Sequence, residues 1–275
     1  MFLRRIFVVA LCGVIALSAV FYTLTFRLFD RPLTEAKQEK FQQQIVLPDN
    51  FTLAASVNSF DTVKNTLQSA RKNVSSGSYA LELNVAFDED GTPFLADGPD
   101  YITPASVKLE TIFKEFQDTD YLRYIVRLMN RTTKSSLTHL AVQYGLIGRI
   151  MLIGFTKEEI ADSSVLYGNF KICVSLDTGD FRMSSHDACL EKLQEYANEG
   201  VSGISCNLWD VSDAFCEALS ETRQLRFVLE GVNSTYDMYH ALSLNPNIII
   251  TDHPEILYDM MLSQDYLDLN KANAF

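Results

Sequence analysis

Histidine is scarce and late in this chain. The four are His139, His186, His240 and His253, so residues 1–138 hold no imidazole to move a proton near neutral pH. No G-x-S-x-G run surrounds any serine, Ser59, Ser184 and Ser185 included, which removes the elbow of a serine hydrolase. No glycine-rich loop follows a predicted strand, so a nucleotide has no phosphate cradle. Positive charge is short as well. Against 35 acidic residues there are 23 Lys and Arg, and the net charge of −12 argues against nucleic acid as a partner. Like-charge runs, repeats and low-complexity tracts are absent, so most of the chain is expected to fold. Outside the first thirty residues the cysteines are Cys173, Cys189, Cys206 and Cys216. Their spacing fits no zinc pattern, and their even number allows two disulfides or, equally, buried thiols. His186 and Cys189 stand three apart and read as a ligand or nucleophile pair, or as a loop histidine beside a structural cysteine.

What is present begins with a long apolar run. Arg4 and Arg5 precede an uncharged stretch from Ile6 to Phe26, and Arg27 follows. At about 1.5 Å per residue this stretch spans about 31 Å, the hydrocarbon thickness of a bilayer. A signal-peptide core is shorter, and cleavage near Ala16-Leu17-Ser18 would fall inside the run. The reading is one N-terminal transmembrane helix, with the arginines holding the N-terminus in the cytosol. That gives a single-pass type II membrane protein with a luminal or extracellular domain, secreted if the segment is cleaved. Four sequons, at Asn50, Asn73, Asn130 and Asn233, are glycosylation acceptors in that compartment. The chain divides into a tip and anchor over 1–29, a polar stalk over 30–49 and a folded domain over 50–275.

In the folded part, short apolar runs alternate with amphipathic segments. Strands are predicted near Thr52–Ser56, Tyr79–Ala86, Tyr121–Met129, Arg149–Gly154, Phe170–Leu176, Gly203–Leu208, Leu225–Glu230 and Ile248–Thr251. Helices are predicted at Thr62–Lys72, Leu109–Phe116, Ser135–Tyr144, Ala188–Glu199, Asp213–Thr222 and Tyr236–Leu242. This alternation predicts an α/β fold, a (β/α)8 TIM barrel, with a doubly wound open sheet as the competitor.

The stretch ALELNVAFDEDGTPFLAD (Ala80–Asp97) resembles the E-x-D strand, D-G-x-P turn and His-Asp strand of the glycerophosphodiester phosphodiesterases, within the phospholipase-C-like phosphodiesterase superfamily. KLETIFKEF (Lys108–Phe116), YGLIGRIMLIGFTKEEI (Tyr144–Ile160) and the closing T-D-H-P-E within Phe227–Leu257 are similar to that family's later segments, in the same order. ASVNSFDTVKNTL (Ala55–Leu67) also resembles the opening of sphingomyelinase D toxins and of menorin-like domains. Each of these relatives implies the same barrel, with its site at the C-terminal ends of the strands.

The resemblance implies a chemistry that this sequence lacks the residues to perform. In the family two histidines do acid–base work on a phosphodiester, and carboxylates hold Mg²⁺ or Ca²⁺ on the phosphate. Here the first histidine's place falls on Ala55 and the second's on Ala96 or Asp97. Glu82 remains, but Asn84 replaces the aspartate, so Glu82, Asn84 and Asp97 make at best a weak Mg²⁺ or Ca²⁺ site. Glu82 reads equally as a strand-end carboxylate paired with Arg127 or Arg123. His253 reads as part of a structural strand closure. Trp209, after the sixth predicted strand, reads as lid packing or a ligand platform. The leading expectation is a degenerate barrel acting as a binding or interaction module for a phospholipid headgroup, a glycerophosphodiester or a protein partner. The alternative is an active phosphodiesterase using Asp97, His253 or His139, and a third reading is a scaffold without a ligand.

Overall fold

The computed structural model describes residues 45, 47–48, 50–57, 63–65, 79–96, 102–103, 106–119, 122–130, 132, 136–160, 167–176 and 184–263. The apolar run at 6–26, nearly all of the stalk, most of the helix expected at Thr62–Lys72, Ser59, Asn73 and Asp97 lie outside the described residues. Among the described residues no helix is long and apolar enough to cross a membrane.

The order of elements is β1 (Thr52–Val57), β2 (Tyr79–Phe87), β3 (Pro93–Leu95), α1 (Leu109–Phe116), β4 (Leu122–Leu128), α2 (Leu137–Gln143), β5 (Ile150–Phe155), β6 (Lys171–Ser175), α3 (His186–Asn198), β7 (Gly203–Asn207), α4 (Asp213–Glu221), β8 (Arg226–Glu230), α5 (Thr235–Ser243), β9 (Ile248–Thr251) and α6 (Pro254–Ser263). All eight strands expected from the sequence are present. Their runs of Val, Ile, Leu and Ala are buried on both faces, as parallel strands covered by helices must be. The sheet closes because β1 pairs in parallel with both β9 and β2. That closure excludes the open sheet. β3 is an addition, a short antiparallel partner of β2 outside the ring. The sequence reading also left α6 unassigned: it starts at Pro254, directly after β9, where a proline's fixed φ and missing N–H suit a first helical turn.

Three of the helices, α3, α4 and α5, begin where a serine supplies a cap. Ser185, Ser212 and Ser234 accept bonds from the backbone N–H of Ala188, Phe215 and Asp237, and the Asp237 carboxylate in turn accepts from Ser234 N–H. Ser185 thus has a structural role.

Parallel registers show which side chains fill the lumen, because residues paired in register share a face and the face alternates along each strand. Ala54, Ala80, Ile125, Met151, Ile153, Cys173, Val228, Ile248 and Ile250 form the interior plug. Two residues further along each strand the interior turns polar, with Glu82, Arg127, Ser175, Ser205 and Glu230 at the C-terminal mouth. Two residues earlier it is basic, with Arg123, Lys171 and Arg226 at the opposite end.

Gly203 fits this packing only without a side chain. A Cβ there would lie 2.8 Å from Arg226 O and 2.8 Å from Cys173 Sγ. Gly203→Ala is expected to destabilise by about 1–3 kcal/mol through overpacking, read as a lower urea midpoint with an unchanged slope.

Candidate functional site

The mouth is organised around one cation. Arg127, near the end of β4, donates from Nε to Glu82 Oε1 at 2.9 Å, and from Nη2 to Glu230 Oε2. Ser205 Oγ donates to the other oxygen of Glu230. β4 and β8 stand on opposite sides of the eight-strand ring, so the guanidinium reaches across the lumen. Its side chain is 22% exposed, against 7% for Glu82 and 21% for Glu230. A bulge in β5 accommodates it. Gly154 adopts φ +88°, its N–H bonds Ser175 Oγ at 3.0 Å, and its missing Cβ would lie 3.5 Å from Arg127 Cγ. A positive φ of this kind favours glycine.

The pairing expected between Glu82 and Arg127 or Arg123 is therefore made by Arg127. Glu230 escaped the sequence reading, although strand parity marks it: it lies two residues beyond the interior Val228, at the end of F-V-L-E. Burial pushes the Glu230 carboxyl up, Arg127 pulls it down and Glu82 adds to the rise, with a net upward shift. Glu230 so holds its proton more tightly folded than unfolded. Its contribution to stability is present below the ordinary value of 4.5 and is lost as pH rises through the raised folded value. Urea midpoints measured across that window are expected to fall with pH less steeply in Glu230→Gln than in the wild type.

Of the remaining expected site residues, Asn84 stays at the mouth, in register with Arg127, and the other described ones disperse. Ala55 is buried and faces the helix layer. The lumen-facing residue at the end of β1 is Ser56, in register with Glu82, so the first histidine's geometric place moves by one residue and is still not imidazole. Ala96 is buried beside β2, its N–H bonding Asn84 O at 3.1 Å. Asn84 Oδ1 is buried with no hydrogen-bond partner. Trp209 is half-exposed and stacks on Tyr236 of α5, the ring planes 1° apart and the centroids at 6.0 Å, with His240 at 5.7 Å. That is packing between a loop and α5.

The bonds of this arginine go to Glu82 and Glu230, not to an imidazole. His139 is exposed on α2. His186 bonds Asp187 and Glu221 on the surface, not Cys189, and the Asp187 hydrogen bond leads its upward pKa shift. His253 is exposed, its backbone N–H bonding Thr251 Oγ1 at 3.0 Å. All four described cysteines are free, and burial pushes the Cys173 and Cys216 thiols up to about 12. Of the sequons, Asn130 spends its amide on Phe87, accepting from N at 2.8 Å and donating to O at 3.0 Å. The Asn233 amide nitrogen donates to Asp252 Oδ2 at 2.7 Å. Asn50 Oδ1 accepts from Asn247.

The mouth does not suit the divalent cation that the family resemblance implies. Among the described residues the mouth's carboxylates are Glu82 and Glu230, each already bonding the guanidinium, which would repel a second cation, and Asn84 adds only a neutral oxygen. Among the described residues no three His, Cys, Asp or Glu side chains gather as a metal cage.

No protein-family model matches the chain, and no curated protein matches its sequence. Solved structures do match. A glycerophosphodiester phosphodiesterase from Parabacteroides distasonis is similar at 14% identity and TM-score 0.61, over 79% of this chain and 99% of its own. One from Agrobacterium tumefaciens matches at 12% and 0.56, over 76% and 99%. An Oleispira antarctica phosphodiesterase in complex with the product sn-glycerol-3-phosphate matches at 10% and 0.56, over 78% and 97%. The fold is that of the glycerophosphodiester phosphodiesterases. At these identities the likeness is one of fold, and it agrees with the order of the sequence motifs. The Glu82–Arg127–Glu230 arrangement belongs to this chain's own residues.

Proposed function

We propose that this chain is a catalytically degenerate barrel of the phospholipase-C-like phosphodiesterase superfamily, held to a membrane by its 6–26 segment, whose mouth binds a phosphate-bearing headgroup or a protein partner without cleaving it. The observation that carries the reading is Arg127. A guanidinium fixed between Glu82 and Glu230 neutralises the charge that a hydrolytic metal would need, and neither family histidine position holds an imidazole. Headgroup binding has support from the donors left over. Arg127 spends two N–H groups on carboxylates out of the five a guanidinium carries, and Ser56 shares the lumen face with Glu82. The sn-glycerol-3-phosphate held by the Oleispira enzyme is a ligand of this chemical class.

The test is turnover. Full-length protein in non-ionic detergent, given glycerophosphodiesters and lysophospholipids with Mg²⁺ and separately with Ca²⁺, is expected to release product no faster than buffer. Hydrolysis abolished by Glu82→Ala would overturn the proposal in favour of a working enzyme that has recruited Asp97, His253 or His139. A headgroup analogue at millimolar concentration is expected to raise the unfolding midpoint, whereas a purely scaffolding domain would show no shift.

A further inference from the structure

The barrel carries described sequons at both of its ends, and their side-chain amides are used differently. Asn130 lies just past β4 and Asn233 just past β8, at the mouth, whereas Asn50 lies just before β1, at the opposite end. Asn130 continues the β2–β4 ladder with its side chain. Met129 N bonds Val85 O at 2.8 Å, and the next bonds join the Asn130 amide to Phe87. Phe87 donates from N to Oδ1 at 2.8 Å and accepts at O from Nδ2 at 3.0 Å. Both partners belong to one residue, so the hydrogen that Nδ2 donates is the one on the same side as Oδ1. Asn233 is closed in a similar ring: Oδ1 accepts from Asp252 N at 2.9 Å, and Nδ2 donates to Asp252 Oδ2 at 2.7 Å. Asn50 bonds through oxygen alone. Its Oδ1 accepts from Asn247 Nδ2 at 2.9 Å, and its own nitrogen donates to none of the described residues.

N-glycosylation turns such a primary amide into a secondary one. The bond formed joins Nδ2 to C1 of the first sugar, and the bond broken is C1–O to the diphosphate of a lipid-linked oligosaccharide donor. One amide proton passes to a base of the transferase, and the lipid diphosphate departs with the C–O electron pair. The product keeps a single N–H. In the favoured trans amide that N–H points away from the carbonyl oxygen, and the sugar takes the place beside it. At Asn130 and Asn233 this is the place of the hydrogen now bonding Phe87 O or Asp252 Oδ2. Keeping both bonds would need the cis form, which a secondary amide disfavours by about a hundredfold. Sugar transfer acts on the unfolded chain, so the fold selects among its products. A chain modified at Asn130 loses the pairing with Phe87, whereas a sugar on Asn50 Nδ2 leaves Oδ1 to accept from Asn247.

We propose that Asn50 is the glycan-bearing acceptor among the three described sequons, and that Asn130 and Asn233 stay bare in the folded protein. Carbohydrate then covers the end of the barrel around Asn50 and Asn247 and leaves the mouth open. The assignment rests on a luminal or extracellular domain, and not on what the mouth binds.

The experiment is glycopeptide mapping of the folded full-length chain, made in a eukaryotic secretory pathway and extracted in non-ionic detergent. Enzymatic glycan release in heavy-oxygen water marks each asparagine that carried sugar. Occupancy at Asn50 is expected to exceed that at Asn130 and at Asn233 by about tenfold or more. A bare Asn50, or comparable occupancy at Asn130 or Asn233, would overturn the assignment. Sugar at Asn73 with Asn50 bare overturns the assignment alone, while a chain bare at every sequon overturns the luminal placement with it. The pairing itself is checked on chain made without glycans. Asn130→Asp sets an oxygen against Phe87 O and is expected to lower the thermal midpoint by about 3–8 °C, and Asn50→Asp by less than about 1 °C. Equal midpoints for the two variants would contradict the proposal.

Discussion

Replacing Arg127 by methionine is expected to lower stability by about 3–5 kcal/mol, one of the largest losses available to a single substitution here. Methionine fills the stem's volume, so the loss is electrostatic. Glu82 and Glu230 would be left in the lumen without the guanidinium that both now bond. The effect has a pH signature. Glu230 already carries a raised pKa with Arg127 pulling it down, and removing that pull raises it further. The variant is therefore expected to be least stable relative to wild type at neutral pH, and to recover as acid protonates Glu230. Chemical unfolding of both proteins between pH 5 and about 7.5 checks this, and a deficit that stays constant with pH would point to lost packing instead.

Arg127→Glu carries the argument to its converse and is expected to show the larger swing. It sets a third carboxylate beside Glu82 and Glu230, where Coulomb repulsion in a lumen of low effective dielectric is strong. In chelator the variant is expected to be less stable than Arg127→Met. Three converging carboxylates are, however, an oxygen cage suited to Ca²⁺, so millimolar Ca²⁺ is expected to restore much of the lost midpoint, about 5–10 °C, while leaving wild type unmoved. Thermal scans with and without Ca²⁺ measure this. Equal Ca²⁺ shifts in both proteins would mean that Arg127 is not what keeps the cation out.

Much of the barrel was legible in the sequence because its strands are short and mostly apolar, and three of the helices between them start at a serine cap. The hydrophobic run is a local property, and Thr52–Val57 or Ile248–Thr251 announce themselves without knowledge of their neighbours. Ring closure was not local. It rests on β1 pairing with β9, nearly two hundred residues away, which no periodicity records. The same limit governs the site. Glu82 stood out through its motif, and its missing partners Asn84, Ala96 and Ala55 could be seen as substitutions. Whether Ala55 or Ser56 faced the lumen depended on strand parity, which is fixed only by register with β2. Arg127 and Glu230 come together across the lumen from residues 103 apart, so each looked like an ordinary strand-end charge. The basic end was hidden for the same reason: Arg123, Lys171 and Arg226 lie at the starts of three separate strands, and only ring closure brings them to one end of the lumen.

The central claim is that a side chain of the protein itself occupies the electrostatic place of a metal at the mouth. Calorimetric titration of Ca²⁺ and of Mg²⁺ into the full-length wild type and into Glu82→Gln measures it most directly. The expected result is two indistinguishable isotherms with no saturable binding below about 1 mM, a range in which many carboxylate-built Ca²⁺ sites fill. Saturable binding to wild type that Glu82→Gln abolishes would contradict the account.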